Sequence, residues 1–436
     1  MKTLLIVYNN GSHIHTFPQG TAYIAAALKE AGHDVEIYQQ DVHHWPEEHL
    51  TDHLDRNRYD MVGFGFIAGY YQYAKALKIS KAVSQSQNFC HFTYVLGGHG
   101  PSAEPEYFKE KMGADDIVIG EGETWASGKV YDHVDDLPWP AYQLFPIKYY
   151  RLIRFPCAEP TDFCIQILTG RGCKWRCNFC YRMDDGFRAR HPEAVIEEIR
   201  YLQMAWGINY FQFSDELFMS SEKRSVLFSE ALIKANLGKN FKWDCNGRLN
   251  FATPEVLKVM KQAGCQYVNY GVEAMDDQVL ANMNKGLTVA QIKRGVKATI
   301  EAGISPGLNI IWGNIGDTLE TLHKGVDFLL EYDKNPKELR TIRPVTPYPG
   351  CDLYKYAIEK GLLQGPEDFY ERKHVNSDLL AVNFTDLTDD EFHVALMNAN
   401  LRLIHKYSQR RRDLIWQQAV HLYAAKNVGF RGFRDI

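Results

Sequence analysis

The sequence has no long apolar run. No stretch approaches the ~20 consecutive apolar residues that a bilayer-spanning helix needs. The opening Met1-Lys2-Thr3-Leu4-Leu5-Ile6-Val7-Tyr8 is interrupted at once by Asn9-Asn10; it reads as a strand, too short for a secretory signal. Surplus positive charge is missing too. Lys and Arg number 49 against 54 Asp and Glu, a net charge of -5, which gives no general pull toward nucleic acid or an anionic membrane. Nine cysteines in 436 residues, an odd count, do not make a secreted disulfide framework. These absences lead us to expect a cytoplasmic protein with no membrane span and no nucleic-acid partner. An apolar share of 45% and a charged share of 24% are ordinary for a globular chain, and the length has room for about three domains.

What is present is concentrated at Gly172-Cys173-Lys174-Trp175-Arg176-Cys177-Asn178-Phe179-Cys180-Tyr181, directly after the β-rich run 163–168. A structural zinc site wants four ligands, commonly two Cys-x-x-Cys pairs, and no second pair exists. Three thiolates at this spacing suit an iron–sulfur cluster. On a four-iron cubane they leave one iron open.

From the first residue, apolar runs (3–8, 34–38, 61–66, 92–96 and 116–119) alternate with amphipathic stretches such as 20–31 and 71–83. That pattern predicts βαβ units and a parallel sheet, which binds ligands beyond the carboxyl ends of its strands. Two of those ends are glycine-rich: Gly97-Gly98-His99-Gly100 and Gly120-Glu121-Gly122-Glu123. After the cysteines the units lengthen. Strands are expected at 163–168, 210–213, 241–245, 267–270, 308–312 and 341–345, with helices at 192–204, 222–235, 254–263, 288–302, 319–331 and 353–359. Six such units make a partial (β/α)6 TIM-like barrel, whose chemistry sits at the strand C-termini. Those ends carry Asp215 and Glu216, Arg248, and Glu273. A carboxylate there caps a helix as readily as it holds a ligand. Two more helices are expected at 391–407 and 414–426, with Arg410-Arg411-Arg412 a solvated step between them. The other six cysteines have no ligand spacing and are expected in the core.

The cysteine spacing, with aromatic Phe179 just before the last thiol, resembles the radical S-adenosylmethionine (SAM) superfamily. Pro18-Gln19-Gly20, the two glycine-rich strand ends and Asp135-Asp136-Leu137-Pro138-Trp139-Pro140 extend the resemblance to its cobalamin-binding members, over residues 1–384. The resemblance implies an α/β chain with a Rossmann-like cobalamin-binding domain (1–134), a linker (135–160), a radical SAM partial barrel (161–360) and a mainly helical extension (361–436). It implies a 4Fe-4S cluster on Cys173, Cys177 and Cys180. S-adenosylmethionine would lie near Phe179, with Asp215 and Glu216 at its amino end, Arg248 at its carboxylate and Glu273 at its ribose or methionine part. Cobalamin would lie against Gly97, Gly98, His99, Gly120, Glu121 and Gly122. The implied activity is methyl transfer to an unactivated carbon or phosphorus of a small molecule, through methylcobalamin and a 5′-deoxyadenosyl radical. Electrons would come from a donor such as flavodoxin or ferredoxin. A cyclase or ring-rearrangement enzyme shares these motifs and is the alternative. A methylthiotransferase would need three further cysteines in the N-terminal domain, which holds only Cys90.

Two departures stand out. The segment between Glu123 and Asp135 is short for this family. The Asp-x-His-x-x-Gly signature that supplies a cobalt-ligating histidine elsewhere is absent; Asp41-Val42-His43 begins like it but continues His44-Trp45-Pro46. His43 and His44 are expected to be solvated, and cobalamin to lack a protein imidazole below the cobalt. His13 and His15 are the remaining candidates near that face.

Overall fold

The computed structural model describes residues 1–426 apart from 12–14, 184–185, 333 and 335–337. His13 is therefore outside the described residues. The N-terminal sheet holds β1 (Lys2–Val7), β2 (Asp34–Gln39), β3 (Met61–Gly65), β4 (Thr93–Gly97) and β5 (Asp116–Ile117). Its order is β2-β1-β3-β4-β5, with all strands parallel. Strands covered on both faces read as unbroken apolar runs. Leu4 and Ile6 pack with Val62, Phe64, Tyr94 and Leu96 on one side, while Leu5 meets Ala25, Ala26, Ala27 and Leu28 of the helix Gln19–Glu30 on the other. From β1 the chain goes one way to β2 and then crosses to β3 on the opposite side. A crevice opens above such a switch point.

The second sheet runs β13-β12-β11-β10-β9-β6, again parallel. Its strands are β6 (Cys164–Ile167), β9 (Tyr210–Phe213), β10 (Lys242–Gly247), β11 (Cys265–Glu273), β12 (Ser305–Trp312) and β13 (Arg343–Pro344). The outward residues Phe211, Phe213, Trp243, Val268 and Tyr270 form one core with Val195, Phe228, Val256 and Val296 of the outer helices. The inward face carries an amide ladder: Gln166 to Gln212 at 3.1 Å, Asn246 to Asn269 at 3.1 Å and Asn269 to Asn309 at 2.8 Å. Between β6 and β9 the chain makes a hairpin that sequence reasoning did not anticipate, β7 (Gly170–Cys173) against β8 (Gly186–Ala189), antiparallel, with Arg171 directly opposite Arg188.

Two expectations need correction. Strand β13 is two residues long, Arg343–Pro344, where five were expected, although the Val345 N–H still donates to Trp312 O at 2.8 Å. Just before it, the Asn400 side chain accepts from the Ile342 N–H at 2.8 Å and donates to its carbonyl at 2.9 Å. Asn400 belongs to one 37-residue helix, Asp389–Ala425, where two helices were expected. Arginine is a good helix former and the span has neither Gly nor Pro, so the Arg410-Arg411-Arg412 step does not break it. Its first half buries Phe392, Leu396, Ala399 and Leu403, with Phe392 stacked 4.2 Å from Trp312.

Candidate active site

Cys173 ends β7, and Gly172 shapes the turn into the cysteine loop. Its φ is +82°, and a Cβ there would lie 2.5 Å from the Gly186 carbonyl oxygen, so the hairpin closes only around glycine. The loop is then tied down from three sides. The Asn178 N–H donates to Met283 O at 2.9 Å, and the Asn178 and Asn314 side-chain amides bond each other. Asn284 reaches Arg176 O at 2.8 Å, and the Leu353 N–H donates to Asn178 O at 2.7 Å. Cys173 and Cys177 are half-buried and Cys180 is exposed. Burial pushes the Cys177 thiol up, and the cations of Lys285 and Arg248 pull it back toward the thiolate a metal needs. Among the described residues no three His, Cys, Asp or Glu side chains converge on a single-ion position; ligands of a cubane stand further apart than that.

Four of the strand-end residues stand around this loop. Glu216 accepts from the Gly172 N–H at 2.9 Å. Arg248 is 5% exposed, with its guanidinium carbon 3.6 Å from the Trp175 ring centroid. It donates to Lys285 O, while its Nε has no partner. A buried donor without an acceptor costs about 1–3 kcal/mol, so this site suits a carboxylate ligand. Glu273 has a left-handed φ of +65°, at a bulge where the pairing of β11 with β12 slips. Such strain in a non-glycine clusters at functional sites. Its carboxylate takes Lys285 Nζ at 2.9 Å, and Lys285 lies 5.9 Å from the Phe179 ring centroid. Asp215 differs. It is fully buried, and its oxygens accept from Thr169 N at 2.7 Å, Thr169 Oγ1 at 2.5 Å, Gly170 N at 2.9 Å and Arg224 at 3.3 Å. With these bonds Asp215 braces the turn before β7. Ile315 sits in a loop closed by Asp317, which accepts from the Gly313 and Asn314 N–H groups at 3.0 Å each.

A cavity of about 590 Å3 separates this loop from the N-terminal sheet. Gly97, Gly98, His99, Gly120, Glu121 and Gly122 line it from one side, and Gly172, Arg182 and Glu216 from the other. Gly98 is expected against cobalamin. The structure gives a further reason for a glycine there: at φ +92° its Cβ would meet Phe66 O at 2.7 Å, so the glycine serves the β3–β4 strand ends themselves. His99 sits edge-on to Tyr181 at 5.7 Å, and burial lowers its imidazole pKa. His15 is buried and lines the cavity. His43 and His44 are exposed, His43 stacking on Trp45 at 4.2 Å. Asp41 turns inward to accept from the Tyr150 hydroxyl at 2.9 Å, and burial pushes its carboxyl up to about 6. Of the other cysteines, Cys164, Cys245, Cys265 and Cys351 are buried as expected. Cys157 is half-buried, and Cys90 is exposed. Sequence reasoning missed Lys285, Arg171 and Asn178; the polar turn Asn284-Lys285-Gly286 was the signal for the first.

The fold and site together define a glycine-rich nucleotide-type sheet facing a half-barrel with a three-cysteine loop. Residues 9–127 match the B12 binding domain and residues 167–329 match the Radical SAM superfamily. The chain thus combines a B12 binding domain with a radical SAM domain. It is 27% identical over 405 residues to an uncharacterised methyltransferase of Pyrococcus horikoshii, covering 83% of this chain and 84% of the relative. It is also 27% identical to the anaerobic magnesium-protoporphyrin IX monomethyl ester cyclase of Rubrivivax gelatinosus, covering 79% of this chain and 66% of that one. Its fold is similar to that of the radical SAM methyltransferase TsrM from Kitasatospora setae, at TM-score 0.65 and 18% identity over 84% of this chain and 79% of that chain.

Proposed function

We propose that the protein is a cobalamin-dependent radical SAM methyltransferase acting on an unactivated centre of a small molecule. The observation that carries this is a cavity with Gly172, Arg182 and Met183, which flank the three cysteines, on one wall and the glycine-rich strand ends on the other. When bound, the 4Fe-4S cluster and S-adenosylmethionine supply a carbon radical, and the corrin carries the methyl group. The chain's own residues then have separable tasks. Cys173, Cys177 and Cys180 hold the cluster. The unpartnered Arg248 Nε offers a charged donor to the S-adenosylmethionine carboxylate, the Glu273–Lys285 pair fixes its methionine or ribose part, and Glu216 and Phe179 border it. Gly97, Gly98, His99, Gly120, Glu121 and Gly122 form the wall for cobalamin. We assign residues 1–134 to cobalamin, 161–360 to the radical chemistry, 135–160 to the linker and 361–436 to the extension. Electrons come from a flavodoxin- or ferredoxin-type donor in the cytoplasm, with no nucleic acid involved. Among the described residues no helix is long and apolar enough to cross a membrane.

The test is anaerobic reconstitution with iron, sulfide and hydroxocobalamin. Four irons and one corrin per chain are expected, and 5′-deoxyadenosine should form on reduction with S-adenosylmethionine. A variant with all three cysteines replaced by Ala should bind no cluster; one that still holds four irons overturns the assignment. The likeness to the Rubrivivax gelatinosus cyclase supports a second reading, cyclisation without methyl transfer. S-adenosylmethionine labelled in its methyl group separates the two, because only methyl transfer carries the label into product.

A further inference from the structure

Arg171 and Arg188 are direct cross-strand partners in the β7–β8 hairpin, and like charges facing each other across an antiparallel pair destabilise it. Carboxylates from outside the hairpin supply compensating charge. Glu121, in the turn after β5, reaches Arg171 Nη1 with Oε2 at 3.0 Å and Arg188 Nη2 with Oε1. Glu123 takes Arg171 as well, with Oε2 accepting from Nη1 at 3.1 Å and Oε1 from Nη2. The Tyr23 ring lies 5.3 Å from the same guanidinium. Just past the hairpin, Arg190 Nε meets Asp135 at 3.1 Å, and the His191 N–H donates to the same carboxylate at 2.7 Å. The hairpin that delivers Cys173, and whose connecting loop carries Cys177 and Cys180, is thus neutralised and anchored by the turn that also lines the cavity. The Arg171 and Glu123 side chains are 14% and 7% exposed, which shields the pair from solvent screening.

We infer that Glu121 is a positioning residue, an electrostatic bridge that makes order in the cysteine hairpin and order in the corrin-facing turn depend on each other. The inference rests on the functional reading above. Binding that fixes one side of such a bridge stabilises the other by the same factor. Cobalamin held against Gly120–Gly122 would tighten the cluster loop, and a loaded cluster would raise cobalamin affinity.

The experiment uses the full chain as wild type, E121Q, R188Q and the double variant E121Q/R188Q, each reconstituted with iron and sulfide. Two quantities are read: the rate of iron loss to a chelator and the dissociation constant for hydroxocobalamin. In E121Q, cobalamin binding should weaken between about 5- and 150-fold, the span of typical site-to-site coupling, and iron loss should speed up. Removing the second arginine removes the repulsion, so E121Q/R188Q should recover iron retention over E121Q. A purely local packing role for Glu121 predicts the reverse, a double variant that loses iron at least as fast. K129M, in an exposed ion pair with Glu30 elsewhere in the domain, should match wild type in both readouts. Wild-type iron retention in E121Q, or no recovery in the double variant, overturns the bridge. If E121Q does not fold, recovery of folding in E121Q/R188Q supports the inference and failure of both overturns it. Wild-type protein that holds iron and takes up no cobalamin sinks the functional reading instead, and the iron data still judge the bridge.

Discussion

Arg248 shows how far a single residue can be read. Its position at a strand end marked it as a ligand group, but only the structure shows a side chain stacked on Trp175 with one donor left over. Arg248→Ala should weaken S-adenosylmethionine binding by about 1.5–3 kcal/mol, the worth of a hydrogen bond to a charged group, while the cluster still assembles. Equilibrium dialysis on the reconstituted protein measures it, and unchanged affinity would show that Arg248 serves the barrel alone. The gathering of the three cysteines in one loop was legible because their spacing is local. The hydrogen bonding of Asp215 was not, because the Thr169 and Gly170 groups that donate to it stand 46 and 45 residues away. Gly98 was legible as a needed glycine, for a reason the sequence does not contain.

At the scale of elements, alternation and length located both sheets. They could not reveal the hairpin of β7 and β8, whose four-residue strands are two of the poorest strand signals in the chain: Gly-Arg-Gly-Cys and Gly-Phe-Arg-Ala. Nor did pattern reading recover the amide ladder inside β6 to β12, since polar residues on the inner face interrupt the apolar runs that marked the strands. Below that ladder lies Asp244, 2% exposed, with Oδ2 unpartnered. Burial pushes its carboxyl up to about 7, with hydrogen bonds from Gln212 and Tyr210 opposing. An acid whose folded pKa is raised contributes most below its unfolded pKa of about 4. That contribution is lost as pH rises through the folded value. The Asp244 contribution to the melting temperature should therefore decline between about pH 4 and pH 7, and Asp244→Asn should remove that part of the pH dependence. Scanning calorimetry across the range checks it; an unchanged slope would mean the carboxyl titrates normally.

For the whole molecule, the question is how the two halves enclose a ligand between them. The absence of an Asp-x-His-x-x-Gly signature and the outward position of His43 and His44 leave His15 as the histidine of the described chain that borders the cavity before β2. We expect bound cob(II)alamin to show no superhyperfine splitting from a protein nitrogen in its electron paramagnetic resonance spectrum. A splitting that disappears in His15→Ala would identify an axial imidazole and reverse that expectation. The relation between the halves was the least legible part of the chain, because no periodicity records which surface turns toward which.

The amide of Asn400 has one more consequence. By offering Ile342 an acceptor and a donor at 2.8 and 2.9 Å, it occupies the backbone groups that a seventh strand would use. An incomplete barrel presents a raw rim, the usual template for edge-to-edge aggregation. Here one side chain on a helix finishes that rim. A chain shortened before residue 388 would keep every residue assigned to the cofactors and still expose a surface on which a second chain could grow.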